Sequence, residues 1–215
     1  MSNEIKKALT VVYEVGESLY INITNQCTNN CDFCIRNNGD GAYGSDPLWL
    51  SREPSVEEIV AAILESEPLG YSELVFCGYG EPSCRLEDAR EVALAVKRVY
   101  PGIKIRINTN GQSDLILGRD SAPLYKDAFD AVSISLNAPT AEKYQAVCHS
   151  VYGEECFDAI LRFAKAVKEL VPSVQFSVVD TFLSEEDIEL CRKIAASAGI
   201  NLRVRAYISA DDKSE

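Results

Sequence analysis

Cys27-Thr28-Asn29-Asn30-Cys31-Asp32-Phe33-Cys34 sets three cysteines in the spacing Cys-x3-Cys-x2-Cys, directly behind the apolar run Leu19 to Ile23. Three thiolates from one short loop suit an iron–sulfur cluster, which cysteine sulfur holds and which ordinarily takes a fourth ligand. The loop offers only three. A four-iron cluster on Cys27, Cys31 and Cys34 keeps one iron open to a small molecule, so the centre reads as reactive rather than closed. Structural zinc sites use four Cys or His ligands in paired short spacings, and no second Cys-x2-Cys or nearby histidine completes one here. A disulfide needs an oxidising compartment, whereas the start, Met1-Ser2-Asn3-Glu4, is polar and carries no export signal. The cluster is therefore preferred over zinc or inert thiols.

Composition bounds the rest. At 215 residues the chain is about one domain, 1–215, large enough to bury a real core. The net charge of -12 argues against a nucleic-acid surface or an anionic membrane as main partner. No apolar stretch approaches the length of a membrane span. Eight Cys and one His without an export signal point to a reducing cytoplasm.

Working outward from the cluster loop, Thr10 to Val15 and Leu19 to Thr24 read as a β-hairpin joined at Gly16-Glu17-Ser18. The stretch from Ile35 to Pro54 is long and irregular, either a cover for the cluster or a surface loop pinned by Trp49. A strand–helix alternation follows. Ser55-Val56-Glu57-Glu58 is a capping box for a helix that stops at Pro68. Strands are expected at Leu74 to Cys77, Ile103 to Thr109, Ala131 to Leu136, Val174 to Val179 and Leu202 to Tyr207. Between them lie a helix striped by Leu86, Ala89, Ala93 and Val96, a weak helix around Ser121 to Phe129, a long helix ending at Pro172, and a helix capped at Ser184 and stopped by Gly199.

Six strands alternating with helices imply right-handed crossovers and a parallel α/β sheet. The strands themselves alternate: Ile105 and Ile107 oppose Arg106 and Asn108, Val132 and Ile134 oppose Ser133 and Ser135, and Leu202 and Val204 oppose Arg203 and Arg205. With helices over the apolar face, the polar face must line something wet or ligand-filled, because buried polar groups without partners are costly. That pattern implies an open barrel lumen or a sheet with one solvated face.

At Cys27 to Cys34, with the aromatic Phe33 just before the third cysteine, the sequence resembles the radical S-adenosylmethionine (radical SAM) superfamily. The resemblance implies a partial (β/α)6 TIM-like barrel with a short N-terminal β-hairpin, and a 4Fe-4S cluster on Cys27, Cys31 and Cys34. It further implies that S-adenosyl-L-methionine chelates the open iron and that one-electron cleavage gives a 5'-deoxyadenosyl radical, which abstracts hydrogen from a substrate. Phe76-Cys77-Gly78-Tyr79-Gly80-Glu81-Pro82 resembles the family's Gly-Gly-Glu-Pro motif, which binds the cofactor's amino group; Tyr79 stands where the first glycine is usual. Asn108-Thr109-Asn110-Gly111 is similar to the family's Thr-Asn-Gly ending. Ser133-x-Ser135-x-Asn137 stands where relatives place Ser and Asp against ribose and carboxylate, and Asn137 keeps hydrogen bonding without the charge. The expected cofactor contacts are thus Phe33, Tyr79, Gly80, Glu81, Asn108, Asn110, Ser135 and Asn137. Arg205 is a further one, pairing with a carboxylate of cofactor or substrate, or else forming a structural ion pair.

Among the other cysteines, Cys84 is a candidate hydrogen donor or extra ligand, Cys77 and Cys191 read as core, and Cys148 and Cys156 beside His149 make a poor second cluster. More narrowly, Asn22-Ile23-Thr24-Asn25 before the cluster loop, Phe76 to Pro82, Ile105 to Gly111 and Ser133 to Pro139 together look like the radical SAM proteins associated with TatD-type nucleases. The compact chain is also similar to glycyl-radical activating enzymes and 7-carboxy-7-deazaguanine synthases, so a protein loop or a small molecule fits as substrate. Cleavage implies an external electron donor, a flavodoxin or ferredoxin. From another class, a non-catalytic iron–sulfur or zinc module is the alternative.

Overall fold

The computed structural model describes residues 5–207; the polar start Met1 to Glu4 lies outside them. Val12–Val15 (β1) and Ser18–Ile21 (β2) pair antiparallel, with Tyr13 opposite Tyr20 and Gly16 turning the hairpin at φ +56°. From β2 onward the strands run parallel: Glu73–Phe76 (β3), Ile105–Thr109 (β4), Ala131–Ser135 (β5), Ser173–Val179 (β6) and Asn201–Arg205 (β7). The seven strands lie in chain order, each beside its predecessor, which is the winding of a barrel left open between its two edges.

Helices fill the crossovers: Val56–Glu65 (α1), Leu86–Val99 (α2), Ser113–Leu117 (α3), Ala122–Tyr125 (α4), Ala141–Cys148 (α5), Glu155–Lys168 (α6) and Glu185–Ala198 (α7). The expected capping box is present: Glu58 N–H donates to Ser55 Oγ, and Ser55 N–H donates to the Glu58 carboxylate at 2.8 Å. Ser184 caps α7, and Gly199 ends it in the left-handed region at φ +62°. Ile105, Ile107, Val132, Ile134, Phe176 and Val178 are buried beneath the helices, so the core lies between sheet and helix layer. Burying each such side chain is worth about 1.5–3 kcal/mol, which fixes strand register by fixing which face turns inward. No helix among the described residues is long and apolar enough to cross a membrane.

Three expectations need correction. The long helix before Pro172 is two helices, because His149 and Gly153 both take positive φ (47° and 64°) and turn the chain back against the cluster loop. The weak helix shrinks to α4, and the short α3 precedes it. Cys77 is not core: β3 ends at Phe76 with Leu74 and Phe76 facing the helices, so the next residue turns into the lumen.

Candidate active site

The lumen is a cavity of about 360 Å³. Cys27, Cys31 and Cys34 line it together with Phe33, Tyr79, Gly80, Glu81, Asn108, Asn110, Ser135, Asn137 and Arg205, so the expected contacts meet around one space. Cys84 is not part of that wall; it lies on the 3-10 turn Pro82–Arg85, and burial pushes its thiol up to about 12. The 35–54 stretch contributes Ile35, Ala42 and Tyr43 to the lining and is also pinned, through Trp49 packing edge-on to Tyr79 at 5.3 Å. The pin by Trp49 is therefore present, and the stretch faces the cavity as well.

What fixes the cluster loop is a polar network that sequence reading missed. Thr28 Oγ1 and Ser150 Oγ donate to Gln112 Oε1 at 2.8 and 3.1 Å. Gln112 Nε2 in turn donates to Asn29 Oδ1 and the Tyr144 hydroxyl at 2.9 and 3.1 Å. Asn110 Nδ2 donates to Thr28 Oγ1 at 2.8 Å, tying the end of β4 to the loop. Backbone bonds complete the clamp, from Asn30 N–H to Cys148 O, from Asp32 N–H to Val147 O, and from Val151 N–H to Thr28 O. Only the adjacency of Gln112 to the Thr109-Asn110-Gly111 ending signalled any of this.

The glycine motif has its own explanation. A Cβ on Gly80 would stand 2.3 Å from Thr24 O and 2.7 Å from Gln26 O, so it is the chain's own backbone, just before the cluster loop, that demands glycine. Tyr79 is tolerated because its ring turns away to Trp49 while its hydroxyl donates to Gly39 O at 2.9 Å.

Glu81 is buried and accepts four hydrogen bonds, from Ser83 N–H and Oγ, Thr109 Oγ1 and Asn110 N–H. Burial nonetheless holds its carboxyl above the usual range. Asn137, held at φ +54°, has a buried Oδ1 with no partner, an acceptor awaiting a donor. Burial pushes Cys27 up to about 12, and Arg36 Nε donates to Cys34 Sγ at 3.2 Å. Deeper in the lumen, Arg106 is committed to Glu73 and to Asn108 Oδ1.

These groups fit a cluster and its cofactor. A closed zinc site takes four ligands, and the loop brings three thiols to the cavity; a four-iron cluster takes each of three thiolates on its own iron. An ammonium answers Glu81, and a hydroxyl or ammonium answers Asn137 Oδ1.

An open parallel barrel with a three-thiol loop and a buried carboxylate on its lumen is the kind of fold and site that suits a cluster-and-cofactor enzyme. The chain belongs to the Radical SAM superfamily, whose family model matches residues 21–194. It is an enzyme of the radical SAM type, and its cofactors are a 4Fe-4S cluster and S-adenosyl-L-methionine. Among curated relatives, a probable GTP 3',8-cyclase of Thermococcus kodakarensis is 29% identical over 189 residues, covering 87% of this chain and 55% of the relative. The GTP 3',8-cyclase of Lactiplantibacillus plantarum is 29% identical over 140 residues, 65% of this chain and 39% of its own. The chain thus spans about half the length of these relatives or less. The crystal structure of Streptococcus suis SuiB bound to S-adenosylmethionine shares the fold, with TM-score 0.64, 18% identity, and coverage of 94% of this chain and 41% of that one.

Proposed function

We propose that Cys27, Cys31 and Cys34 carry the cluster and that the lumen positions a substrate for hydrogen abstraction beside it. Bound there, the cluster and S-adenosyl-L-methionine supply one-electron cleavage of a carbon–sulfur bond and a 5'-deoxyadenosyl radical. Glu81 and the Gly80 backbone receive the cofactor's ammonium, Asn137 Oδ1 accepts from its ribose hydroxyls, and Asn108 and Asn110 line the neighbouring wall. Phe33 packs along the cofactor, and Tyr79 contributes backbone alone. The observation that carries this reading is the meeting of three cysteines, a buried carboxylate and the unpartnered Asn137 Oδ1 on one cavity. Within the superfamily we group the chain with the TatD-associated proteins on its strand-end motifs. Three thiols on one open cavity need a reducing compartment such as the cytoplasm, where a flavodoxin or ferredoxin would serve as electron donor.

The test is anaerobic reconstitution with iron and sulfide, reduction, and assay for 5'-deoxyadenosine, with Cys31→Ala as control. Iron near four per chain and product in the wild type alone are expected. A chain that takes up zinc and assembles no cluster would sink the reading.

A further inference from the structure

Resting on the cavity as the substrate lumen, we propose that its β5–β7 wall is a binding site for an anionic group of the substrate, a carboxylate or phosphate. Arg205 and Arg203 are its cations and the hydroxyls of Ser135 and Ser177 its neutral donors.

The sheet register builds the site. Ser135 lies opposite Ser177, Ser177 opposite Arg203, and Val179 opposite Arg205, so two hydroxyls and a guanidinium form one row across three strands. Strand alternation sets Arg205 on the same face as Arg203, one step nearer the mouth. All four residues line the cavity.

Charge then narrows the ligand. Three guanidinium groups line the lumen, and Arg106 is neutralised by Glu73. Among the described residues neither Arg203 nor Arg205 forms an ion pair, although the chain carries 33 Asp and Glu. Arg205 Nε is buried and has no hydrogen-bond acceptor among the described residues. Glu81 is the one acidic residue of the described cavity wall, and its oxygens already serve four donors within the chain. A charged donor held dry without an acceptor is costly and is tolerated where a ligand supplies the acceptor. The guanidinium fork matches the paired oxygens of carboxylate and phosphate, and serine hydroxyls complete the shell of either.

The experiment uses reconstituted 4Fe-4S protein saturated with S-adenosyl-L-methionine, titrated calorimetrically at constant ionic strength with inorganic phosphate in one arm and succinate in the other. One anion is expected to bind at one per chain, with the cofactor still bound, and the arm that does so names the group. Arg205→Gln and Arg203→Gln should each weaken it tenfold or more, and Arg205→Lys, keeping charge without the fork, should weaken it less. Arg192→Gln, on exposed surface of α7, should leave binding unchanged. Absence of binding in both arms, equal binding by the lumen variants, or displacement of the cofactor by the anion would each overturn the proposal. Displacement would mean that these arginines take the cofactor's own carboxylate. Protein that binds the anion through Arg205 yet forms no 5'-deoxyadenosine keeps this inference and defeats the catalytic reading; cleavage without anion binding does the reverse.

Discussion

On the wall built by the cluster loop and the ends of β3 and β4, Gln112 alone bonds four side chains and Glu81 accepts from four donors. Across the lumen, on β5 to β7, among the described residues Arg203 forms no ion pair and Arg205 Nε has no partner. The first wall is satisfied by the protein itself, so its geometry is held before any cofactor arrives. The second is unfinished and gains its missing partners only from a ligand. Substitutions on the first wall should therefore cost stability in the apo-protein, and those on the second should cost binding alone.

The largest effect is expected at Gly80. Gly80→Ala drives a Cβ into the carbonyls of Thr24 and Gln26, which are backbone and yield only if the approach to the cluster loop moves. Unfolding free energy in urea should fall by about 3 kcal/mol, and iron uptake on reconstitution should collapse. An alanine variant that loads iron normally would show that the loop is not fixed in advance.

Gln112→Ala comes next. It strips partners from Thr28, Asn29, Tyr144 and Ser150 at once, and the groups left buried and unmet should lower stability by roughly 2–3 kcal/mol. The cluster should also be lost faster to a chelator, because Thr28 and Asn29 lie between Cys27 and Cys31. Measuring stability and chelation in the same variant tests whether the network serves the loop or only the core.

The contrast also explains what the sequence disclosed. The proposed cluster ligands were legible because they are local, three cysteines within eight residues, and the strand-end motifs were legible because they recur in barrel order. Alternation along β4, β5 and β7 marked one polar face of the sheet, the face that lines the lumen. Parity along β3 would have found Cys77 too, since Leu74 and Phe76 face the helices and the next inward position is 77. The Gln112 network was not legible, because Thr28, Tyr144 and Ser150 lie 84, 32 and 38 residues from it. Polar side chains carry no periodic signal that pairs them at such separations. The break between α5 and α6 was marked by Gly153, but His149 at φ +47° depends on the clamp to Thr28 and Asn30, a tertiary constraint that overrides local propensity.

Glu81→Gln should have a smaller and pH-dependent effect. One oxygen of Glu81 takes Ser83 and Thr109, the other takes Asn110 N–H, so an amide NH2 must face a donor and costs about 1–2 kcal/mol. Because burial raises the folded-state pKa, the contribution linked to protonated Glu81 is fully present below the unfolded carboxylate value and declines as pH rises through the folded one. The stability gap between wild type and Glu81→Gln should thus narrow from acid toward neutral pH in denaturation curves of apo-protein. A gap that widens instead would mean that the four hydrogen bonds outweigh burial.

Ser177→Ala is expected to do least. Ser177 is 2% exposed, yet its side chain joins none of the hydrogen bonds among described side chains that hold the first wall. Removing a hydroxyl that faces a cavity large enough for water leaves no buried donor stranded, so stability should change by less than about 0.5 kcal/mol. Its neighbours in register are Ser135 and Arg203, and both face the same lumen. The loss should therefore register in anion binding, as a several-fold weakening, and not in the melting temperature. A destabilisation matching that of Gln112→Ala would place Ser177 in a self-satisfied network, and the distinction between a finished wall and a waiting one would fail at its centre.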